Sequence, residues 1–145
     1  MKIKVAATQM SCDWEIENNI KKSINLIEKA AEKGANIILL QELFQSPYFC
    51  IQYDEEIFKL AQTFENNTLI NKMSEVAKNH KVVLPISFFE KDNNAYFNSI
   101  AVIDSDGKIL GKYRKSHIPD GAGYLEKYYF NPGDTGFKVW NTKFG

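Results

Sequence analysis

Two charged side chains, Glu42 and Lys115, stand where predicted strands end and long loops begin. Glu42 comes just after the apolar run at 37–40, which is typical of a buried strand. Partial desolvation there would raise the pKa of its carboxyl group and make it a usable general base near neutral pH. Lys115 follows the predicted strand at 108–114, and an ammonium beside a carboxylate could stabilise a developing oxyanion. Together the two side chains could supply proton transfer and electrostatic stabilisation.

A structural interpretation of the same residues stays open. Glu42 could be an ordinary surface glutamate, since this residue type is almost never fully buried without a partner. The basic residues around Lys115 are also typical of a solvated strand edge. Strand alternation places Lys115 on the same face as Tyr113. Lys112 and Arg114 then fall on the opposite face. Spacing alone does not bring Glu42 and Lys115 together.

The remaining reactive side chains carry weaker signals. Cys12 lies in the loop after the first strand and is expected to be a surface or half-buried thiol. Cys50 lies in an aromatic loop, where a small packed hydrophobe is the better interpretation. We expect His117 to brace its loop and His80 to place a favourable charge at a helix C-terminus. There is no zinc-type Cys/His spacing and no phosphate-binding glycine motif, so we predict no metal and no cofactor.

The elements that would position these residues alternate along the chain. The predicted strands are 2–9, 36–41, 82–89, 95–103 and 108–114, with a last strand starting near Phe137. The predicted helices are 16–31 and 68–80. Gly34 is the expected stop of the first helix, and Asn66 or Asn67 the expected cap of the second. This order predicts an α/β layered fold with βαβ units at the front and hairpins behind.

Two long connections, 42–65 and 116–136, each begin where a predicted strand ends. Long connections in compact domains are usually lids or binding loops. In α/β sheets, ligands bind outside the carboxyl ends of the strands. We therefore expect a binding site where these loops meet.

Length and composition narrow the classes of function. The chain has 145 residues, about one domain, with 18 basic and 18 acidic residues and a formal net charge of zero. This balance removes the electrostatic reason to expect a nucleic acid or an anionic membrane as partner. No apolar run approaches the roughly 20 residues of a membrane span. With two cysteines and no signal-peptide pattern, we expect a cytoplasmic protein with reduced thiols.

Three segments together resemble the nitrilase superfamily. They are LLQELF at 39–44, YRKSHIP at 113–119 and EKYYFNPGDTGF at 126–137. The stretches 6–10 and 46–50 fit the same family. The resemblance covers the whole chain but only about the first half of such an enzyme. The order and spacing of the three segments argue against a chance match.

The resemblance implies a nitrilase-like α/β fold in which residues 1–145 form half of a four-layer α-β-β-α sandwich. It implies hydrolysis of a non-peptide carbon–nitrogen bond in a small amide or carbamoyl substrate, without a cofactor, by a homo-oligomer when full length. Family catalysis uses a cysteine, a glutamate and a lysine. Carried over, Glu42 is the base and Lys115 holds the oxyanion, while Glu126 matches a further glutamate that orients both.

One family residue has no counterpart in this chain. The nucleophilic cysteine belongs to a strand that follows the segment ending here at Gly145, and neither Cys12 nor Cys50 matches it. We therefore expect the N-terminal portion of a single hydrolase domain, truncated before the nucleophile strand and inactive alone. The alternative is a non-catalytic fragment or pseudoenzyme that binds an amide or pairs with a partner supplying the rest. A cysteine encoded soon after Gly145 would favour the first interpretation.

Overall fold

The computed structural model describes residues 2–145. This part of the chain contains five strands and three α-helices. The strands are β1 (Val5–Ala7), β2 (Ile37–Leu39), β3 (Leu84–Asp92), β4 (Ala95–Ile103) and β5 (Ile109–Arg114). The helices are α1 (Ile16–Glu32), α2 (Thr68–His80) and α3 (Glu126–Tyr129), and a 3₁₀ helix covers Glu55–Leu60. Among these residues, none of the helices has the length and apolar character that a bilayer span requires.

The strands form one layer with a parallel front and an antiparallel back. β1 pairs with β2 in parallel, and β3, β4 and β5 form an antiparallel meander. A parallel bridge between Ile37 and Val83 joins the two parts, and the Ile38 N–H donates to the Val83 carbonyl at 3.0 Å. The α/β fold class and the order of βαβ units followed by hairpins are confirmed.

Both long helices pack on one face of this layer. The main core contains buried residues of α1, α2, β2, β3 and β4, namely Ile20, Ile27, Ile38, Leu69, Ile70, Met73, Leu84, Ile86, Ala101 and Ile103. The Asn67 side chain caps α2 by accepting the Ile70 N–H at 3.1 Å, which selects one of the two expected cap residues. Gly34 follows α1 at a φ of +82°, as expected of a helix stop.

A second, aromatic core anchors the two long loops to the end of the sheet. The Phe49 ring lies 5.4 Å from Phe89 and 5.0 Å from Tyr129, and Phe89 lies 5.2 Å from Phe130. Cys50 is fully buried among these rings, so its interpretation as a packed hydrophobe is confirmed. Aromatic packing of this kind fixes the loops that carry polar groups above it.

Two sequence-based expectations about strands are wrong. No strand forms near Phe137, whose side chain is 81% exposed. The preceding segment bends back onto the end of β5, and the Phe137 ring stacks on Tyr113 at 6.4 Å, but its backbone pairs with no strand in residues 2–145. β2 is buried on one face only, since Leu39 is 46% exposed. The helices cover the face that carries Ile38, and nothing in the described chain covers the other.

The uncovered face of the sheet makes the isolated chain prone to associate. Val5 is 70% exposed, and it points to the same face as Leu39 because the register pairs Val5 with Ile37 and Ala7 with Leu39. Exposed apolar faces and unpaired strand edges are association sites. We expect sedimentation velocity to show self-association of the 145-residue chain.

A matched pair of variants tests whether this face is responsible. Val5→Lys places a charge on the open face and should shift the sedimentation profile towards monomer. Val139→Lys, at an exposed valine outside every strand, should leave association unchanged. A wild-type chain that sediments as a stable monomer would contradict the expectation.

Candidate active site

The three site residues expected from the sequence meet at one end of the sheet. The Lys115 Nζ lies 2.8 Å from Glu126 Oε2 and 3.3 Å from Glu42 Oε1. Glu42 follows β2, Lys115 follows β5 and Glu126 is the first residue of α3. Lys115 and Glu42 are 73 residues apart in sequence, so the sheet and its loops bring them together.

Glu42 is positioned by a turn at the end of β2. Leu43 has a φ of +53°, which is uncommon for a residue with a branched side chain, and its N–H donates to Ser87 Oγ at 2.8 Å. The Glu42 side chain is 48% exposed, so its desolvation is only partial. Its Oε1 also accepts a hydrogen bond from the Asn98 side-chain amide.

Glu126 is buried and has a partner at each oxygen. Its Oε2 accepts from Lys115, and its Oε1 accepts from the Tyr48 hydroxyl at 2.8 Å. A buried carboxylate is costly unless it is paired and hydrogen-bonded, which these two donors achieve. Burial and the hydrogen bond to Glu126 raise the pKa of Tyr48, so the phenol remains a donor.

Lys115 is held as an ammonium. Burial alone would lower its pKa, but the hydrogen bond to Glu126 and the charge of Glu42 raise it above the ordinary value. A lysine in this state can stabilise negative charge and cannot accept a proton near neutral pH.

The other face of β5 carries a buried ionic cluster. Arg114 Nη2 donates to Glu90 Oε1 at 2.7 Å and Nε donates to Oε2 at 3.0 Å, while Lys112 also binds Glu90. Arg114 Nη1 donates to Asp134 at 2.9 Å, and the guanidinium lies 3.8 Å from the centre of the Phe97 ring. Lys112 and Arg114 therefore point away from Lys115, as strand alternation predicts.

Gly133 lets the segment after α3 pack against the end of β5. A Cβ at this position would lie 2.1 Å from the Arg114 carbonyl oxygen, a separation that no side chain tolerates. The Gly133 N–H donates to the Lys115 carbonyl at 2.8 Å, and the Arg114 N–H donates to Thr135 Oγ1 at 3.0 Å. The close approach ties the loop that carries Glu126 to the strand that carries Lys115.

The cysteines are not arranged as nucleophiles. Burial, together with the nearby charge of Glu126, raises the pKa of Cys50 to about 12, so it stays a thiol at neutral pH. Cys12 is partly buried and donates to the Phe44 carbonyl at 3.3 Å. In residues 2–145 neither thiol hydrogen-bonds to Glu42 or Lys115.

The two histidines lie outside the site. His117 is exposed and forms no side-chain hydrogen bond within residues 2–145, so it does not brace its loop as expected. His80 is the last residue of α2, and its Nε2 lies 3.7 Å from Glu28. In the same part of the chain, no group of three or more His, Cys, Asp or Glu side chains could hold a metal ion.

Asn98 and Tyr48 are site residues that the sequence analysis missed. Tyr48 lies in the 46–50 stretch that resembles the nitrilase superfamily, so the family match could have indicated it. Asn98 is a buried polar residue in an apolar strand, a pattern that often marks a specific hydrogen-bonding role. An open cleft lies beside Tyr48 and the charged groups of the site. It is lined by Glu42, Tyr48, Lys115, Pro119, Tyr124 and Glu126.

The fold and the site together define a nitrilase-like α/β protein. The carbon-nitrogen hydrolase family model matches residues 4–145, and the chain belongs to this family. The chain is 54% identical over 142 residues to N-carbamoylputrescine amidase of Solanum lycopersicum, covering 98% of this chain and 47% of that protein. It is 49% identical over 142 residues to citrullinase of Francisella tularensis, covering 98% and 50%.

Solved structures agree with this assignment. A carbon-nitrogen hydrolase from Helicobacter pylori G27 superposes with a TM-score of 0.85 at 39% identity, over 93% of this chain and 46% of that chain. Nit3 of Saccharomyces cerevisiae, a member of branch 10 of the nitrilase superfamily, gives a TM-score of 0.79 at 25% identity, over 99% and 52%. The chain therefore spans about half the length of the relatives it matches.

Proposed function

We propose that the protein containing this chain is an amidohydrolase that converts N-carbamoylputrescine and water into putrescine, carbon dioxide and ammonia. The observation that carries the proposal is Lys115 held between Glu42 and Glu126 beside an open cleft. The substrate is supported by the 54% identity to N-carbamoylputrescine amidase of Solanum lycopersicum. The proposal includes a cytoplasmic protein that acts in polyamine biosynthesis, a pathway supported by the name of that relative. The family resemblance supports a homo-oligomer.

In the first half-reaction, a cysteine encoded beyond Gly145 attacks the carbamoyl carbon. Glu42 takes the thiol proton as the sulfur–carbon bond forms, because a thiol with a pKa near 8.5 needs a base at neutral pH. Lys115 holds the oxyanion of the tetrahedral intermediate, an effect that is often worth about 2.7–4 kcal/mol for one donor. A carbon–nitrogen bond then breaks, and the proton on Glu42 goes to the leaving nitrogen.

In the second half-reaction, Glu42 takes a proton from water, which attacks the carbon of the thiocarbamate formed in the first half-reaction. The sulfur–carbon bond breaks, and Glu42 returns the proton that it took from water to the sulfur. The released carbamic acid loses carbon dioxide and yields the other nitrogen product, which is putrescine if ammonia left first and ammonia if putrescine left first. Glu126 keeps Lys115 charged and in place through both steps, since its hydrogen bond raises the lysine pKa.

The alternative function is a non-catalytic module that binds an amide or pairs with a partner. It is favoured by the two cysteines of the chain, since Cys50 is a fully buried thiol with a pKa of about 12 and Cys12 hydrogen-bonds to a loop carbonyl. Neither is placed to attack a substrate above Lys115. The 145-residue chain alone is therefore proposed to be inactive whichever function the complete protein has.

Ammonia release from N-carbamoylputrescine separates the two functions. We expect none from the 145-residue chain and turnover from the protein translated from the complete coding sequence. The control is the complete protein in which the cysteine that follows Gly145 is changed to alanine, and this variant should be inactive. A coding sequence without a cysteine soon after Gly145 would favour the module. Turnover by the short chain that is abolished by Glu42→Ala would contradict the proposed mechanism.

A further inference from the structure

Asn98, a buried residue of β4, contacts both the glutamate and the lysine of the site. We propose that Asn98 is a positioning residue that holds Glu42 and Lys115 in register and reserves Glu42 Oε2 for proton transfer. This role rests on the proposed function, because it assigns Asn98 to the same reaction.

The side chain of Asn98 restrains Glu42. Its Nδ2 donates to Glu42 Oε1, the same oxygen that Lys115 Nζ approaches at 3.3 Å. Since the Glu42 side chain is 48% exposed, these two donors are what keep it from rotating into solvent. In residues 2–145 the Oε2 atom has no hydrogen-bond partner. The carboxylate is therefore fixed through one oxygen and available through the other.

The backbone of Asn98 restrains Lys115. Its carbonyl accepts the Lys115 N–H at 2.9 Å, one residue beyond the last residue of β5. The next residue, Ser99, points to the opposite face and donates to Glu90 in the ionic cluster. Asn98 thus connects Glu42, after the end of β2, to Lys115, after the end of β5. Ser99 contacts only the ionic cluster on the other face among these groups.

The role requires an amide. Its N–H donates to a carboxylate without adding charge to a site that already contains Glu42, Glu126 and Lys115. Leucine has a similar volume and no donor, so Asn98→Leu would release Glu42. Aspartate has the same shape, but Asn98→Asp would place a third carboxylate beside Glu42 and repel it.

The test uses the full-length protein and steady-state kinetics. We expect Asn98→Leu to lower kcat by about 100-fold, the effect of a misplaced catalytic group, with KM changed less than about threefold. Asn98→Asp should lower kcat further. The matched control is Ser99→Ala, which removes a buried hydrogen bond from the adjacent position of β4 and should keep kcat within about twofold of wild type.

A crystal structure of the Asn98→Leu protein gives a readout independent of activity. We expect the Glu42 carboxylate to be displaced while the Lys115–Glu126 pair persists. If Asn98→Leu does not fold, Asn98→Ala takes its place with the same expected results. A kcat within threefold of wild type, or an unmoved Glu42, would overturn the proposal. If the wild-type protein hydrolyses no amide, the proposed function fails, and the position of Glu42 alone decides the role of Asn98.

Discussion

Glu42→Gln in the full-length protein is expected to lower kcat for amide hydrolysis by about 10²–10⁴-fold, the usual contribution of a general base. Glutamine can still accept the hydrogen bonds of Asn98 and Lys115 at its carbonyl oxygen. It cannot take a proton from a thiol or from water. The variant therefore removes the chemistry of Glu42 and leaves the surrounding contacts in place.

The measurement is ammonia release under single-turnover and steady-state conditions. Glu56→Gln is the matched control, because Glu56 is an exposed glutamate of the 3₁₀ helix whose side chain pairs, within residues 2–145, with one surface lysine. That control should retain wild-type kcat. A Glu42→Gln protein whose kcat stays within tenfold of wild type would exclude Glu42 as the base.

Arg114→Met is expected to lower the free energy of unfolding by about 3–5 kcal/mol, because it leaves the buried carboxylate of Glu90 without its main partner. Glu90 is fully buried and receives two hydrogen bonds from Arg114, while Lys112 supplies a further contact. Urea unfolding of the full-length protein measures the loss. In the double variant Glu90→Leu with Arg114→Met, most of the stability should return, since the buried carboxylate and its guanidinium partner are both removed.

The pH dependence of the Arg114→Met effect provides a second check. Burial alone would raise the pKa of Glu90, but hydrogen bonds from Arg114, Lys112 and Ser99 lower it below the ordinary value. A lowered folded-state pKa stabilises the protein above the unfolded pKa of about 4.3, and this stability is lost as pH falls. The difference in the free energy of unfolding between wild type and Arg114→Met should therefore shrink as pH falls below about 4. A difference that stays constant with pH would contradict the role of Glu90.

The sequence predicted the elements whose signals are local. α2 spans the predicted 68–80 because a cap, an apolar stripe and a terminal residue all lie within that segment. β4 likewise matches the predicted 95–103, since turn residues bound it on both sides. The prediction of a strand near Phe137 was wrong because a strand forms only beside another strand that pairs with it. An apolar pattern does not show whether such a strand is present.

The site was predictable only through the family resemblance. Periodicity placed Glu42 and Lys115 at strand ends, but their contact depends on strand order and on the loop that Gly133 ties to β5. Asn98 was missed because its role depends on a carboxylate 56 residues earlier in the chain. Patterns within one segment carry no information about such distant contacts.

The wide sequence separation of the site residues has a consequence for biogenesis. During translation, β2 and Glu42 leave the ribosome before Lys115 and Glu126 are synthesised, and the contact of Glu42 with Lys115 needs segments that are 73 residues apart in sequence to meet. A nascent chain that ends before α3 has no carboxylate at Glu126 to pair with Lys115. The Glu42–Lys115–Glu126 arrangement therefore forms only after residue 126 has been synthesised, and products that terminate earlier lack it.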